Sequence, residues 1–235
     1  MESYQDFLKR IEYQKSEFDV ENTYFKPNER VYEKVRDDNH FKDFYGDTVV
    51  FDLDEETKKR VFGIIEKLYF VAPECFSECL NEITIHMTMH DLSASGNINS
   101  VATQIFENEI NLLNVLKENP IKPMTIKMRT NYAINMLHTS LVLALCPADE
   151  NEWNKLQNIY DLINKVKVCP YPYLTPHITL AYYNYNGFDI GSVNKLKEVV
   201  NVLNKQSFEI TLNTEKLVYQ KFISMNDYIS IFNLL

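Results

Sequence analysis

Residues 82–92 read EITIHMTMHDL, and residues 173–183 read YLTPHITLAYY. Each stretch alternates polar with apolar residues around a His-x-Thr sequence, a pattern typical of a β-strand with one buried face. The two histidines, His86 and His177, are 91 residues apart. The recurrence of the same short pattern on two predicted strands indicates an internal repeat.

The order of the predicted elements supports this repeat. In each half a strand is followed by a helix with an acidic start and then by the histidine strand. Phe51 precedes His86 by 35 residues, and Leu143 precedes His177 by 34. The remaining predictions are helices at 100–118 and 190–205 and strands at 124–135, 207–220 and 227–235. Together they predict an α+β protein with helices outside and sheets inside.

Composition excludes several classes of protein. The chain has 235 residues, enough for one large domain or two intimate lobes. It lacks an apolar run of the ~20 residues that a membrane-spanning helix needs, and its first residues are charged and contain no apolar signal core. We therefore expect a cytoplasmic protein that does not bind membranes. A net charge of −9 argues against binding of long duplex nucleic acid. A small nucleotide or an RNA end remains compatible with that charge.

Motifs for metals and cofactors are not found. The four cysteines, at 75, 79, 146 and 169, do not form the paired CxxC spacing of a zinc or redox site, and five glycines leave no glycine-rich phosphate loop. We therefore predict no cofactor and no metal. We also expect a monomer.

The first 45 residues are rich in charged and aromatic residues. Tyr4, Phe7, Leu8 and Ile11 follow the spacing of one helix face, which predicts a helix within residues 4–18. We therefore divide the chain into a helical N-terminal extension, residues 1–45, and a main domain, residues 46–235.

Two histidines with two threonines indicate a particular chemistry. Histidine exchanges protons near neutral pH, so one neutral imidazole can deprotonate a nucleophile while one imidazolium protonates the leaving oxygen. The hydroxyls of Thr88 and Thr179 can donate hydrogen bonds to a phosphate oxygen on which charge develops. If a pseudo-twofold axis relates the halves, His86, His177 and the two threonines surround one point, and this set favours a phosphodiester substrate.

The sequences His86-Met-Thr88-Met and His177-Ile-Thr179-Leu resemble the paired motifs of the 2H phosphoesterase superfamily, which includes 2′-5′ RNA ligase-like proteins and cyclic phosphodiesterases. The resemblance covers about residues 46–235. It implies a bilobal fold in which two antiparallel sheets face a central cleft, with helices outside. It also implies that His86 and His177 are the acid–base pair and that Thr88 and Thr179 hold the phosphate.

The resemblance further implies a metal-independent phosphodiesterase acting on 2′,3′-cyclic phosphates, 2′-5′-linked nucleotides or RNA ends. Which histidine is the acid depends on how the substrate lies. We take His86 as the acid and His177 as the base. The alternative is a non-catalytic module that binds nucleotides or RNA ends in the same cleft.

Other residues are weaker candidates for substrate binding. His90 would share a face with His86, as a substrate contact or a structural residue. A zinc site made by these two histidines needs a helix, and on a strand their side chains start ~13 Å apart. Arg129 is either a phosphate clamp or part of a solvated strand face. Tyr173 or Tyr183 either stacks on a base or fills the core.

Overall fold

A computed structural model describes residues 2–14, 24–168 and 173–235 of the chain. Within those residues it contains both helices and strands, which confirms the predicted α+β class. The strands are β1 Tyr24–Phe25, β2 Tyr45–Asp52, β3 His86–Ser95, β4 Thr125–Met136, β5 Ser140–Pro147, β6 His177–Tyr182, β7 Phe188–Asp189, β8 Glu209–Asn213, β9 Leu217–Ser224 and β10 Asp227–Asn233. The α-helices are α1 Tyr4–Tyr13, α2 Glu55–Val71, α3 Ile98–Glu118, α4 Glu150–Ile163 and α5 Ile190–Leu203.

Eight strands form one curled antiparallel sheet in the order β10-β9-β2-β3-β6-β5-β4-β8. The strands β1 and β7 pair separately as a short ribbon. The large sheet has two halves of four strands, which meet where β3 lies beside β6. This junction is narrow, since the register of β3 and β6 contains the single pair Met87 and Ile178 in the described residues. The two facing sheets that the family resemblance implies are therefore the two halves of one sheet, which is weakly paired at its centre.

The internal repeat is present in the order of elements. The succession β2-α2-β3-α3-β4 is matched by β5-α4-β6-α5-β9, with β7 inserted before α5 and β8 before β9. Each copy gives its last strand to the other half, because β4 pairs with β5 and β9 pairs with β2. This exchange ties the two halves into one unit.

The acidic helix starts predicted from the sequence coincide with N-caps. Asp54 and Asp149 precede α2 and α4, and the side chain of each accepts a hydrogen bond from a backbone amide of the first turn. Asp189 caps α5 in the same way, although no acidic start was predicted for that helix. Such caps satisfy amides that have no partner inside the helix. The helices therefore begin where these aspartates end the preceding extended segments.

The predicted single strand at 207–220 is wrong, because the structure divides it. A 3₁₀ turn at Thr214–Lys216 separates β8 from β9. Thr214 is fully buried, its amide donates to the carbonyl of Met124, and its hydroxyl accepts from the amide of Met124. These bonds anchor the turn at the start of β4, so β8 stays in one half of the sheet while β9 crosses to the other.

Helix α1 packs on the second half of the sheet. Phe7 and Ile11 are fully buried, and the Phe7 ring stacks on Trp153 of α4 at 4.3 Å between centroids. The hydroxyl of Tyr4 donates to the carbonyl of Pro147 at 2.8 Å. The predicted helix in residues 4–18 ends at Tyr13, and residues 15–18 lie outside the described residues.

None of the helices in the described part of the chain combines the length and the apolar character needed to cross a bilayer.

Candidate active site

The two His-x-Thr sequences lie side by side at the junction of the two halves. Met87 of β3 pairs with Ile178 of β6 in antiparallel register, and both side chains are fully buried. In an antiparallel pair, the residue before one partner lies opposite the residue after the other. Each histidine therefore lies opposite the threonine of the other sequence.

The histidines and threonines share the face opposite to Met87 and Ile178. His86 lies across from Thr179, and Thr88 lies across from His177; all four are partly buried. Directly opposite side chains have Cβ atoms ~5 Å apart. The structure therefore brings the four predicted catalytic residues to one point, around an approximate twofold axis between β3 and β6.

Both imidazole rings are oriented in the same way by a backbone carbonyl. The Nδ1 atom of His86 lies 2.7 Å from the carbonyl oxygen of Thr84, and Nδ1 of His177 lies 2.7 Å from that of Thr175. A carbonyl can only accept, so Nδ1 donates, and Nε2 of the neutral ring is the atom available to take a proton. The shared signal Thr-x-His-x-Thr was present in the sequence, although the prediction did not use its first threonine.

The electrostatics of the site keep both rings neutral near pH 7. Burial lowers the pKa of His86 and of His177 from the ordinary value of 6.5, because it disfavours the charged imidazolium. The carbonyl hydrogen bonds and the carboxylate of Asp91 act in the opposite direction on both pKa values. Asp91 was not predicted as a site residue.

A β-bulge follows the first His-x-Thr sequence and reverses the alternation of its strand. Thr88 pairs with Val50, whereas His90 pairs with Val49, so that Met89 is the extra residue. Since Val49 and Val50 point to opposite faces of β2, Thr88 and His90 also point to opposite faces. The bulge thereby places Asp91, two residues beyond Met89, on the histidine face.

The prediction that His90 shares a face with His86 is therefore wrong. His90 is 2% exposed, its Nε2 lies 2.9 Å from Oδ1 of Asn164, and its Nδ1 lies 2.8 Å from the carbonyl oxygen of Asp91. These contacts hold it against the end of α4, away from the position predicted for a substrate contact. The rings of His86 and His90 cannot bind one metal ion from opposite faces, and the described residues contain no cluster of three or more potential metal ligands.

A second bulge follows the other His-x-Thr sequence in the same place. Thr179 pairs with Val142 and Ala181 with Leu141, which leaves Leu180 as the extra residue. The equivalence of the two bulges extends the internal repeat to backbone geometry. As in β3, the residue two beyond the bulge, here a tyrosine, returns to the histidine face.

This second bulge decides which tyrosine faces the site. Tyr183 is 0% exposed and lies in an aromatic cluster, with its ring centroid 4.8 Å from that of Phe25. The prediction that Tyr183 stacks on a base is contradicted by this burial. Tyr182, the neighbouring residue, is partly buried on the histidine face instead.

A lysine and two tyrosines border the histidines. The Nζ atom of Lys34 lies 5.1 Å from the ring centroid of Tyr182 and 5.3 Å from that of Phe44. Burial is the main cause of the lowered pKa of His177, and the charge of Lys34 adds to it. On the other side, the ring of Tyr228 meets the ring of His86 edge-on at 5.0 Å.

A cavity of about 230 Å³ adjoins His86 on that side. It is polar, and the side chains that line it include His86, Asp52, Lys58, Gln220, Asn226 and Tyr228. Lys58 and Asp52 form an ion pair at 2.7 Å in its wall. The sequence contained no motif for Lys34 or Tyr228, since both come from elements distant along the chain.

Arg129 lies two strands away from His177, and Tyr173 contacts Arg10 of α1. Arg129 pairs with Cys146, two residues from Ala144, which is the partner of His177. It is exposed on the histidine face, but two strands away, ~10 Å across the sheet. Tyr173 is 49% exposed, and the guanidinium carbon of Arg10 lies 5.6 Å from its ring centroid.

Comparisons with known proteins support the fold. No protein-family model matches the chain. No curated protein matches it either. Its structure is similar to that of a conserved protein of unknown function, ATU0111, from Agrobacterium tumefaciens str. C58, with a TM-score of 0.70 and 14% identity over 89% of this chain and 94% of that one.

Weaker similarities are found to two further solved structures. E. coli LigT in its apo form matches with a TM-score of 0.46 and 14% identity, covering 81% of this chain and 96% of that one. TT0787 of Thermus thermophilus matches with a TM-score of 0.45 and 13% identity, over 80% and 97% of the two chains. TM-scores below 0.5 carry no argument. The similarity to ATU0111 concerns the fold alone, since this chain shares the architecture of that protein over nearly the full length of both.

Proposed function

We propose that the protein is a metal-independent phosphodiesterase of the 2H type that acts on a small nucleotide or an RNA end. The observation that carries this proposal is the paired geometry at the sheet junction. Two imidazoles, each with Nδ1 bonded to a carbonyl, lie diagonally across from each other with a threonine hydroxyl beside each. A single imidazole would suit many roles. Two equivalent imidazoles suit a reaction at phosphorus in which one removes a proton from the attacking oxygen and the other donates a proton to the leaving oxygen.

For a 2′,3′-cyclic phosphate, the reaction balances with these groups alone. Nε2 of the neutral histidine takes a proton from water, and the resulting hydroxide forms a bond to phosphorus. The bond from phosphorus to one ribose oxygen breaks, and that oxygen receives the proton of the imidazolium. The product is a phosphomonoester, and the two histidines have exchanged protonation states. Thr88 and Thr179 would donate to the non-bridging oxygens, on which charge increases.

The surrounding charges favour His177 as the base and His86 as the acid. Lys34 disfavours the charged form of His177, whereas Asp52 favours the charged form of His86. Because burial lowers the pKa of both rings, binding of an anionic phosphate is needed to hold the acid in its charged form. We propose that Lys34 contributes to that binding as a cation at the edge of the site.

The test is turnover of 2′,3′-cyclic nucleotides and of a 2′-5′-linked dinucleotide in excess EDTA. The proteins compared are the wild type, His86→Ala, His177→Ala and a matched control, His40→Ala, which removes an exposed histidine outside the site. Loss of about 10²- to 10⁴-fold in kcat in the first two variants, with the control unchanged, is expected for removal of a general acid or base.

Full activity of either site variant would exclude that histidine, and loss of wild-type activity in EDTA would exclude the metal-independent mechanism. If none of the substrates is turned over, binding of the same nucleotides to wild type and to His86→Ala separates the remaining cases. Binding that depends on His86 would identify a non-catalytic module. Absence of binding would reject this class of ligand.

A further inference from the structure

Helix α1, at the N-terminus, reaches the segment that orients His177. Arg10 of α1 donates from Nη1 to the hydroxyl of Thr175 at 2.7 Å and from Nη2 to the carbonyl of Leu174 at 2.8 Å. Thr175 is the residue whose own carbonyl accepts from Nδ1 of His177. Thr175 therefore links α1 to the imidazole, since its side chain accepts from Arg10 and its backbone carbonyl accepts from His177.

Arg10 is itself held in a fixed position. Glu2 accepts two hydrogen bonds from it, at 2.8 Å from Nε and 2.8 Å from Nη2. The side chain of Glu2 is 6% exposed and that of Arg10 is 20% exposed. A paired guanidinium and carboxylate in this geometry is directional and sets the plane of the guanidinium. The rings of Phe7 and Tyr173 each lie 5.6 Å from its central carbon.

The two copies of the repeat hold the equivalent threonines by different means. In the first copy the hydroxyl of Thr84 donates to the carbonyl of Asn81 at 2.8 Å, within the 3₁₀ turn Glu82–Thr84. In the second copy residues 174–176 belong to no helix, turn or strand, and the following Pro176 disfavours a helical conformation at Thr175. The hydroxyl of Thr175 then receives its hydrogen bond from Arg10, a residue 165 positions away.

We propose that Arg10 is a positioning residue for His177. By fixing the hydroxyl of Thr175 and the carbonyl of Leu174, it sets the direction of the Thr175 carbonyl and so holds His177 as the tautomer with the proton on Nδ1. The N-terminal helix is then part of the active-site structure, and its docking controls one histidine of the pair. The consequence for turnover rests on the proposed function, but the consequence for the tautomer does not.

Other charges near His177 remain in place when Arg10 is changed. The groups that act on the ring are Asp91 of β3, Lys34 of the N-terminal segment and, across the junction, His86. Each belongs to an element other than α1. An effect of Arg10 on the tautomer of His177 is therefore distinct from a general change of charge in the site.

The decisive measurement is the tautomer of each histidine, read from the nitrogen chemical shifts of the imidazole rings by NMR above pH 7.5. The variants are Arg10→Met and Thr175→Val, and the control is Lys9→Met, which removes a largely exposed cation from the same helix. The chain has one tryptophan, Trp153, whose indole donates to the carbonyl of Glu2, so its fluorescence reports whether α1 is still docked.

We expect His177 to populate the Nε2-protonated tautomer in Arg10→Met and in Thr175→Val, with His86 unchanged in both and no effect in Lys9→Met. If Arg10→Met also releases α1, the Thr175→Val protein decides, since it keeps Glu2, Arg10 and the helix. An unchanged His177 in Thr175→Val with α1 docked would overturn the proposal, whether or not the protein is an enzyme.

Kinetics provide the second readout if turnover is found. Misplacement of a reacting group lowers kcat, so we expect a decrease of about 10- to 100-fold in kcat for Arg10→Met, with KM within about threefold. An increase in KM alone would show that Arg10 acts on substrate binding and would contradict a positioning role. Inactivity of the wild type would refute the proposed function while leaving the NMR result valid.

Discussion

A buried carboxyl group outside the active site leads to a quantitative prediction about stability. Asp47 of β2 is 1% exposed. Its oxygens accept from the side-chain amide of Asn108 at 3.1 and 3.2 Å and from the hydroxyl of Tyr219 at 3.1 Å. These bonds favour the carboxylate, but burial outweighs them and raises the pKa of Asp47 from 3.8 to about 6. The folded protein thus holds this proton more tightly than the unfolded chain.

The sign and size of the effect follow from this difference. Below pH 3.8 Asp47 is protonated in both states, and its tighter binding of the proton in the folded state stabilises the fold fully. This stabilisation is lost as the pH rises to about 6. A difference of roughly 2 pH units corresponds to ~3 kcal/mol in the free energy of unfolding. Above pH 6 the loss is complete, and this group adds no further pH dependence.

The perturbation is Asp47→Asn, which keeps the shape of the side chain and removes its titration. Urea unfolding of wild type and variant at intervals from pH 4 to 7.5 gives the free energy of unfolding of each. The stability of the wild type relative to the variant should fall by roughly 2 kcal/mol across this range, since part of the full effect lies below pH 4 and contributions of other groups cancel in the difference. Asp37→Asn, at an exposed site, is the control. A constant difference, or one that grows in favour of the wild type as pH rises, would refute the reasoning.

Three further predictions concern the site. In the proposed mechanism the active form is the pair of His86 and His177 with one ring protonated. Since burial lowers both pKa values below 6.5, kcat/KM should then be maximal below pH 6.5. Asp91→Asn should move the pH profile of kcat/KM to lower pH in steady-state kinetics over pH 4–8, and a shift to higher pH would contradict the role of that carboxylate. Lys34→Met should raise KM about tenfold for an anionic substrate while Lys34→Arg stays near wild type, and equal KM values in all three proteins would remove Lys34 from the binding site. Tyr183 has a buried hydroxyl without a hydrogen-bond partner among the described residues. Tyr183→Phe should therefore leave the free energy of unfolding in urea unchanged or raise it by ~1 kcal/mol, and leave kcat unchanged. A marked loss of activity would restore Tyr183 as a substrate contact.

Much of the secondary structure could be predicted because its signals are local. Apolar spacing identified the major helices and all but one of the long strands. Acidic residues marked the starts of two helices, which the structure shows to be capped by Asp54 and Asp149. The strand predicted at 207–220 failed because its division depends on Thr214, whose buried bonds reach Met124 of another element. No local pattern encodes a contact of that range.

The histidine pair illustrates the same division for the site. His86 and His177 with their threonines could be selected because the same short pattern occurs twice, and the pairing of Met87 with Ile178 then brings them together. The expectation for His90 failed because strict alternation takes no account of a bulge, which changes the face of every following residue.

By itself, the sequence determined the element order, the repeat and the chemistry that two His-x-Thr strands can offer, since these depend on residue type and on spacing along the chain. Tertiary structure alone decided which residues surround that chemistry. Two bulges turn Asp91 and Tyr182 toward the histidines and Tyr183 into the core, and long-range packing adds Lys34 and Arg10. There are two physical reasons. The face of the sheet to which a strand residue points depends on how the strand pairs with its neighbour, and contacts between distant segments depend on how the helices and the sheet pack around a common core.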